Sequence, residues 1–172
     1  MRRLLALLLA SSAAGCAATG AVPRPFPVPG TSSGVPEAPL PANPSRGGYG
    51  ISGTALSLRG IPYRNGGSDP GGFDCSGFVW YVFGQHGILM PRTVTEQAQT
   101  GNPVDPPTLQ AGDLVFFDTS GTGFGRRQAT HVGISIGGEE FVHAPSSTGE
   151  VRVERLGSSY WSARFLEARR VQ

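Results

Sequence analysis

Cys75 stands in the run FDCSGFVWYVF, directly behind Asp74 and a Gly-rich loop, and ahead of residues with helical apolar spacing. A cysteine in the first turn of a helix faces unpaired amides and the positive end of the macrodipole. That setting favours a thiolate and predicts a lowered thiol pKa. The same amides can hold an oxyanion on an attacked carbonyl. A nucleophilic thiol also needs a base, and the chain offers His86, His131 and His143. His86 lies near the far end of the same helix, ~16 Å from Cys75 at 1.5 Å per residue, too far for proton transfer. His131 opens one β-rich segment and His143 lies near the end of the next, so the two can serve as base and orienting group beside Cys75. On residue types alone, other readings stand. A lone cysteine among apolar neighbours is more often a buried small hydrophobe. One cysteine and two histidines can also bind zinc, although no pair here has the close spacing typical of such sites.

Register decides whether the two histidines meet. A two-residue turn pairing Ile136 with Glu139 sets His131 against Ala144 and turns His143 to the other face. A three-residue connection, Ile136 to Gly138, sets His131 directly opposite His143. A Gly-containing turn with a bulge supplies the second register, and this is the one predicted.

These residues need elements to position them. The spacing predicts a short helix around Ile51 to Leu58, stopped by Gly60-Ile61-Pro62, and a second from Cys75 to about His86 with Gly87 at its end. Asp74 can cap the second helix. Another short helix follows Arg92, where Thr93 and Glu96 have capping-box spacing. Beyond Gly112 the period changes to strands: 113–118, 131–136, 140–144, 151–155 and 165–170, with Gly137-Gly138 as a hairpin turn. Helices first and antiparallel strands later give a small α+β domain from Tyr49 to Gln172.

The N-terminal third has another character. Arg2 and Arg3, the apolar run Leu4 to Ala10 and the small residues that follow resemble an export signal over residues 1–15. The run is far short of the ~20 residues that span a bilayer. Ala13-Ala14-Gly15-Cys16 resembles the lipobox of bacterial lipoproteins, with Ala13 where Leu is usual, so Cys16 is the expected lipidation site and membrane anchor. Residues 16–48 read as a linker, because proline removes amide donors and restricts its predecessor. The chain holds 15 Pro and 26 Gly in its 172 residues. Its net charge of +2 comes from Arg2 and Arg3, so the remainder is balanced and gives no electrostatic reason to expect a nucleic-acid partner. With Cys16 acylated, Cys75 has no disulfide partner, and an exported lone thiol needs either burial or a use.

The segments PYRNGGSDPGGFDCSGFVWYVF, LMPRTVTEQ, GDLVFF, HVGISIG and FVHA together resemble the NlpC family of papain-like cell-wall peptidases, over most of Gly53 to Val171. The resemblance implies a circularly permuted papain-like fold, with N-terminal helices packed on a small antiparallel sheet. It implies hydrolysis of peptidoglycan stem peptides or cross-links, at bonds between D-Glu or D-Ala and diaminopimelate. By position it makes Cys75 the nucleophile, His131 the general base and acid, and His143 the residue that steers the imidazole. Tyr63 falls near the oxyanion site, Ser76 and Arg92 in the substrate groove, and Asp74 and Asp113 at structural positions. No metal or cofactor is implied. The competing readings are a non-catalytic wall-binding lipoprotein and an acyltransferase on a related fold. Ala17 after the lipidated cysteine, in place of an inner-membrane-retaining Asp, favours an outer-membrane anchor facing the periplasm, and a regulatory lipoprotein is a possible partner.

Overall fold

In a computed structural model of the chain, the described residues are 44–121 and 127–171. The expected signal, the lipidation site Cys16 and most of the linker lie outside them. The fold is α+β. Helix α1 (Pro44–Ser57) comes first, then a two-stranded hairpin of β1 (Ser68–Asp69) and β2 (Gly72–Phe73), then α2 (Cys75–Gly84) and the short α3 (Val94–Gln97). After them come β3 (Asn102–Val104), a single 3-10 turn at Pro106–Thr108, β4 (Leu114–Phe117), β5 (His131–Gly137), β6 (Glu140–His143), β7 (Arg152–Arg155), the one-turn α4 (Ser159–Ser162) and β8 (Phe165–Arg170). The main sheet has six strands in the order β3-β8-β4-β5-β6-β7, all paired antiparallel.

Helix α1 begins at Pro44, ahead of the expected Tyr49 start of the domain and the expected helix start at Ile51. Proline suits a first helical turn, where its missing N–H has no partner to lose. One of the glycines that disguise this helix serves close packing. A Cβ at Gly48 would sit 2.0 Å from the Ala111 carbonyl oxygen, so only glycine lets α1 approach the entry to β4. Helix α2 ends two residues before its expected limit, and Gly87, with φ of 74°, turns the chain so that the Ile88 amide reaches the Phe83 carbonyl.

Because side chains alternate across a strand, the sheet builds two cores. Leu114, Phe116, Val132, Ile134 and Val142 face the helices and pack with Phe78, Val79, Val82 and Phe83 of α2 and Ile51 and Ala55 of α1. Val115, Phe117, Phe141 and Ala168 face the other way and pack against Trp161 of α4. Each fully buried side chain of this size contributes roughly 1.5–3 kcal/mol. Asp113, just before β4, ties that strand to its neighbour β8: it is buried and takes two hydrogen bonds from Arg170, each 2.7 Å.

Candidate active site

The loop before α2 is fixed from three directions. Asp74 caps the helix by accepting from the Gly77 amide at 2.7 Å. Arg92 grips both carboxylate oxygens of Asp74, at 3.0 and 2.6 Å, and also donates to Ser76 Oγ at 2.9 Å and the Gly67 carbonyl at 3.3 Å. Gln97, fully buried, donates to the carbonyls of Ser76 and Pro91. Gly77 must be glycine, since a Cβ there would lie 2.0 Å from the Gly67 carbonyl oxygen. Although Asp74 is partly desolvated, the Arg92 and Gly77 hydrogen bonds hold its carboxyl below the usual carboxylate range. Ser76 and Arg92, expected in the substrate groove, are thus committed to one another and to Asp74. The geometry makes them the brace of the cysteine loop.

Cys75 is half-buried at the helix start. The amides of Ser76, Val132 and Cys75 itself lie near enough to its sulfur to act on it. These favour the thiolate, but burial and then the Asp74 carboxylate outweigh them and push the thiol pKa up. The expected lowering by the helix end is therefore corrected: the dipole acts on a group that packing has desolvated. Tyr63 lies close enough to Cys75 and Asp74 that both, after burial, raise its phenol pKa. A parallel bridge to Phe73 and a hydrogen bond from its amide to the Gly149 carbonyl fix its backbone.

Strand β5 packs against the Cys75 helix through Val132, and His131 is the residue before it on that strand. His131 Nε2 and His143 Nδ1 lie 2.7 Å apart, with the rings edge-on at 82°. The two rings share a sheet face, as predicted, but through a different register. Ser135 pairs with Phe141 and Gly137 with Glu140, so the strand is shifted by two residues from direct opposition of the histidines. The tight turn Gly138-Glu139 alone would turn the rings to opposite faces. The bulge, which sets Ile136 and Gly137 against Glu140, restores the parity. The histidines meet on a diagonal across Gly133, whose missing side chain leaves the room; a Cβ there would lie 3.2 Å from His143 Cβ and 2.6 Å from Phe141 Cδ2.

Burial draws His131 down to about 4, and burial together with the His131 and Arg152 charges lowers His143 further, so both rings are neutral at pH 7. A base at His131 Nδ1 requires the proton on Nε2, donated to His143 Nδ1; His143 then carries its own proton on Nε2, which has no partner among the described residues. His86, by contrast, bonds Thr54 Oγ1 at 2.9 Å between α1 and α2, away from the site. Among the described residues, no group of three His, Cys, Asp or Glu side chains converges as a metal site. Arg127, from the loop before β5, donates to the Ala163 and Phe165 carbonyls.

Sequence reasoning missed Gln97 and Trp161. Gln97 ends the LMPRTVTEQ segment, one turn beyond Arg92, and that motif was its only signal. Trp161 stands in a single helical turn, too short to show periodicity.

The sequence profile of the NlpC/P60 family matches residues 60–170. The chain is 44% identical over 114 residues to an Escherichia coli K12 protein named murein DD-endopeptidase MepS/murein LD-carboxypeptidase, covering 66% of this chain and 57% of that one. It is 39% identical over 123 residues to the probable endopeptidase NlpC of the same strain, covering 71% of this chain and 77% of its relative. The crystal structure of an NlpC/P60 family protein from Bacillus cereus superposes with a TM-score of 0.66 at 32% identity, over 72% of this chain and 39% of that one. The chain thus spans little more than half of the first of these curated relatives.

Proposed function

The chain belongs to the NlpC/P60 family, and from that premise we propose that it is a peptidoglycan endopeptidase working by Cys75, His131 and His143. One observation carries the reading: a buried His131–His143 pair, 2.7 Å apart, opens from the strand that packs against the Cys75 helix. His131 Nδ1 takes the thiol proton as a substrate carbonyl approaches, and Sγ attacks. The Cys75 amide and the Tyr63 hydroxyl hold the oxyanion. His131 returns its proton to the leaving amine, then activates water against the thioester. Because the thiol is raised and the imidazole lowered, proton transfer accompanies attack instead of preceding it. The mechanism calls on no metal or cofactor.

The substrate in this reading is the stem peptide or cross-link of peptidoglycan, cut between D-Glu or D-Ala and diaminopimelate. The Cys16 lipobox and Ala17 support an outer-membrane lipoprotein facing the periplasm, with another lipoprotein as a possible regulator. Incubating purified peptidoglycan fragments with the full chain and with Cys75→Ala, followed by mass spectrometry, tests the activity. New peptide ends that vanish in the variant are expected; identical digests refute the assignment. Recovery of the mature protein only in inner-membrane fractions refutes the placement.

A further inference from the structure

Around the histidine pair runs a closed circuit of side chains that hydrolysis itself does not use. Trp161 lies nearly parallel to His131, ring centroids 5.6 Å apart and planes 24° apart, and edge-on to His143 at 5.0 Å. The indole comes from α4, a single turn capped by Ser158 Oγ, and one turn has little stiffness of its own. What fixes it is Glu154 on β7, whose Oε2 accepts the indole N–H at 3.1 Å. Glu154 Oε1 lies 3.1 Å from Arg152 Nε, and Arg152 is the cross-strand partner of His143. Phe141 and Phe117 close the remaining sides, at 5.3 and 4.7 Å from the indole.

We propose that Trp161, tethered by Glu154, is a positioning residue for His131: it covers one imidazole face, excludes water from it and holds Nδ1 towards Cys75. The inference rests on the peptidase reading for its purpose. A neutral imidazole on one hydrogen bond through Nε2 can still swing about that bond, and a parallel indole removes this freedom. It also keeps one ring face dry, in line with the burial that lowers the His131 pKa. The titratable and charged groups about the pair are Cys75 beyond the Val132 amide, and Arg152 and Glu154 on β7. Phe117 on β4 and Trp161 on α4 add none.

The test uses the full-length chain and the pH dependence of Cys75 alkylation by iodoacetamide, read at the Cys75 peptide by mass spectrometry. The inflection that disappears in His131→Ala marks the base. Trp161→Ala is expected to move it to higher pH, as water reaches the imidazole face, and Trp161→Phe to move it less. Peptidoglycan turnover in Trp161→Ala should fall about tenfold in kcat, with KM changed by no more than about twofold. Glu154→Ala should shift the inflection in the same direction, and Glu154→Gln, which keeps an acceptor for the indole, should restore it. A loss of folded protein would lower the amplitude without moving the inflection. An unmoved inflection in folded Trp161→Ala, with wild-type cleavage intact, overturns this inference alone. Equal shifts in Glu154→Gln and Glu154→Ala overturn the tether. A shifted inflection in a chain that cleaves no peptidoglycan sinks the substrate reading and leaves the inference standing.

Discussion

The two halves of the site are held by opposite physics. The nucleophile's half is ionic: Asp74 is pinned by Arg92, Ser76 and the Gly77 amide, and the Asp74–Arg92 pair is only partly shielded. The base's half is aromatic and dry, with two neutral imidazoles among Phe117, Phe141 and Trp161. One half places its group by charge-assisted hydrogen bonds, which fix direction to a carboxylate. The other places it by packing, which fixes a plane and removes water. The difference explains the resting protonation states. Burial and then the Asp74 carboxylate oppose ionisation of the thiol, and burial against the hydrocarbon wall opposes that of the imidazole, so the site is poised as thiol and neutral base.

The largest effect that would sharpen this contrast comes from the reacting groups themselves. Cys75→Ala and His131→Ala should each lower turnover of peptidoglycan by ~10⁴-fold or more, and the double variant should be no worse than either, because the residues act as a unit. Additive losses, measured by initial rates, would mean the two halves do not share one transition state. Next comes the joint within the dry half. His143→Phe fills the space but leaves His131 Nε2 without its partner, and should lower kcat by about 10²-fold. His143→Gln, which keeps an acceptor, should recover most of that loss. If Phe and Gln behave alike, packing alone orients the base. The ionic half should yield more gently. Arg92→Lys exchanges a fork for a point charge and can satisfy only part of Asp74, Ser76 and Gly67, so kcat should fall about tenfold and the urea midpoint should report about 1–2 kcal/mol of lost stability. A variant with unchanged kcat would show that the brace serves the fold and not the cysteine.

The same contrast governs what could be read from the residues. Charged braces leave motifs: Asp74 before Cys75, Thr93 and Glu96 at capping spacing, and Arg92 just ahead, all within short stretches of chain. The strands of the main sheet were legible from alternation, save β3, whose Asn-Pro-Val carries no strand pattern and pairs only because β8 offers an edge. Helix α1 was half hidden, since Gly47, Gly48 and Gly50 depress helix propensity and the reason for Gly48 lies across the fold at Ala111. The histidine register was legible in parity but not in number. A bulge is a two-against-one choice made by the sheet, and Gly137-Gly138 announces a turn without counting it. The aromatic wall was illegible in its function. Trp161 meets His131 across 30 residues of chain, and only burial shows that it covers the base.

A further expected effect separates the halves by pH. His131 falls from its ordinary 6.5 to about 4 in the folded state, so above pH 6.5 the ring is neutral both folded and unfolded and its contribution is complete. As pH drops below 6.5 the unfolded chain takes up the proton first. Stability is therefore lost across the window from 6.5 down to about 4, by about 3 kcal/mol if His131 titrated alone, and levels off below it. Asp74 behaves otherwise: its carboxyl is held below its ordinary 3.8, so its contribution is complete above that value and is lost only at lower pH. Urea unfolding from pH 7 to 4 should show a falling midpoint in the wild-type chain, a flatter one in His131→Gln and an unchanged slope in Asp74→Asn. A slope that follows Asp74 instead would place the desolvated, pH-sensitive half of the site on the cysteine side, and the aromatic wall would then be no barrier to water.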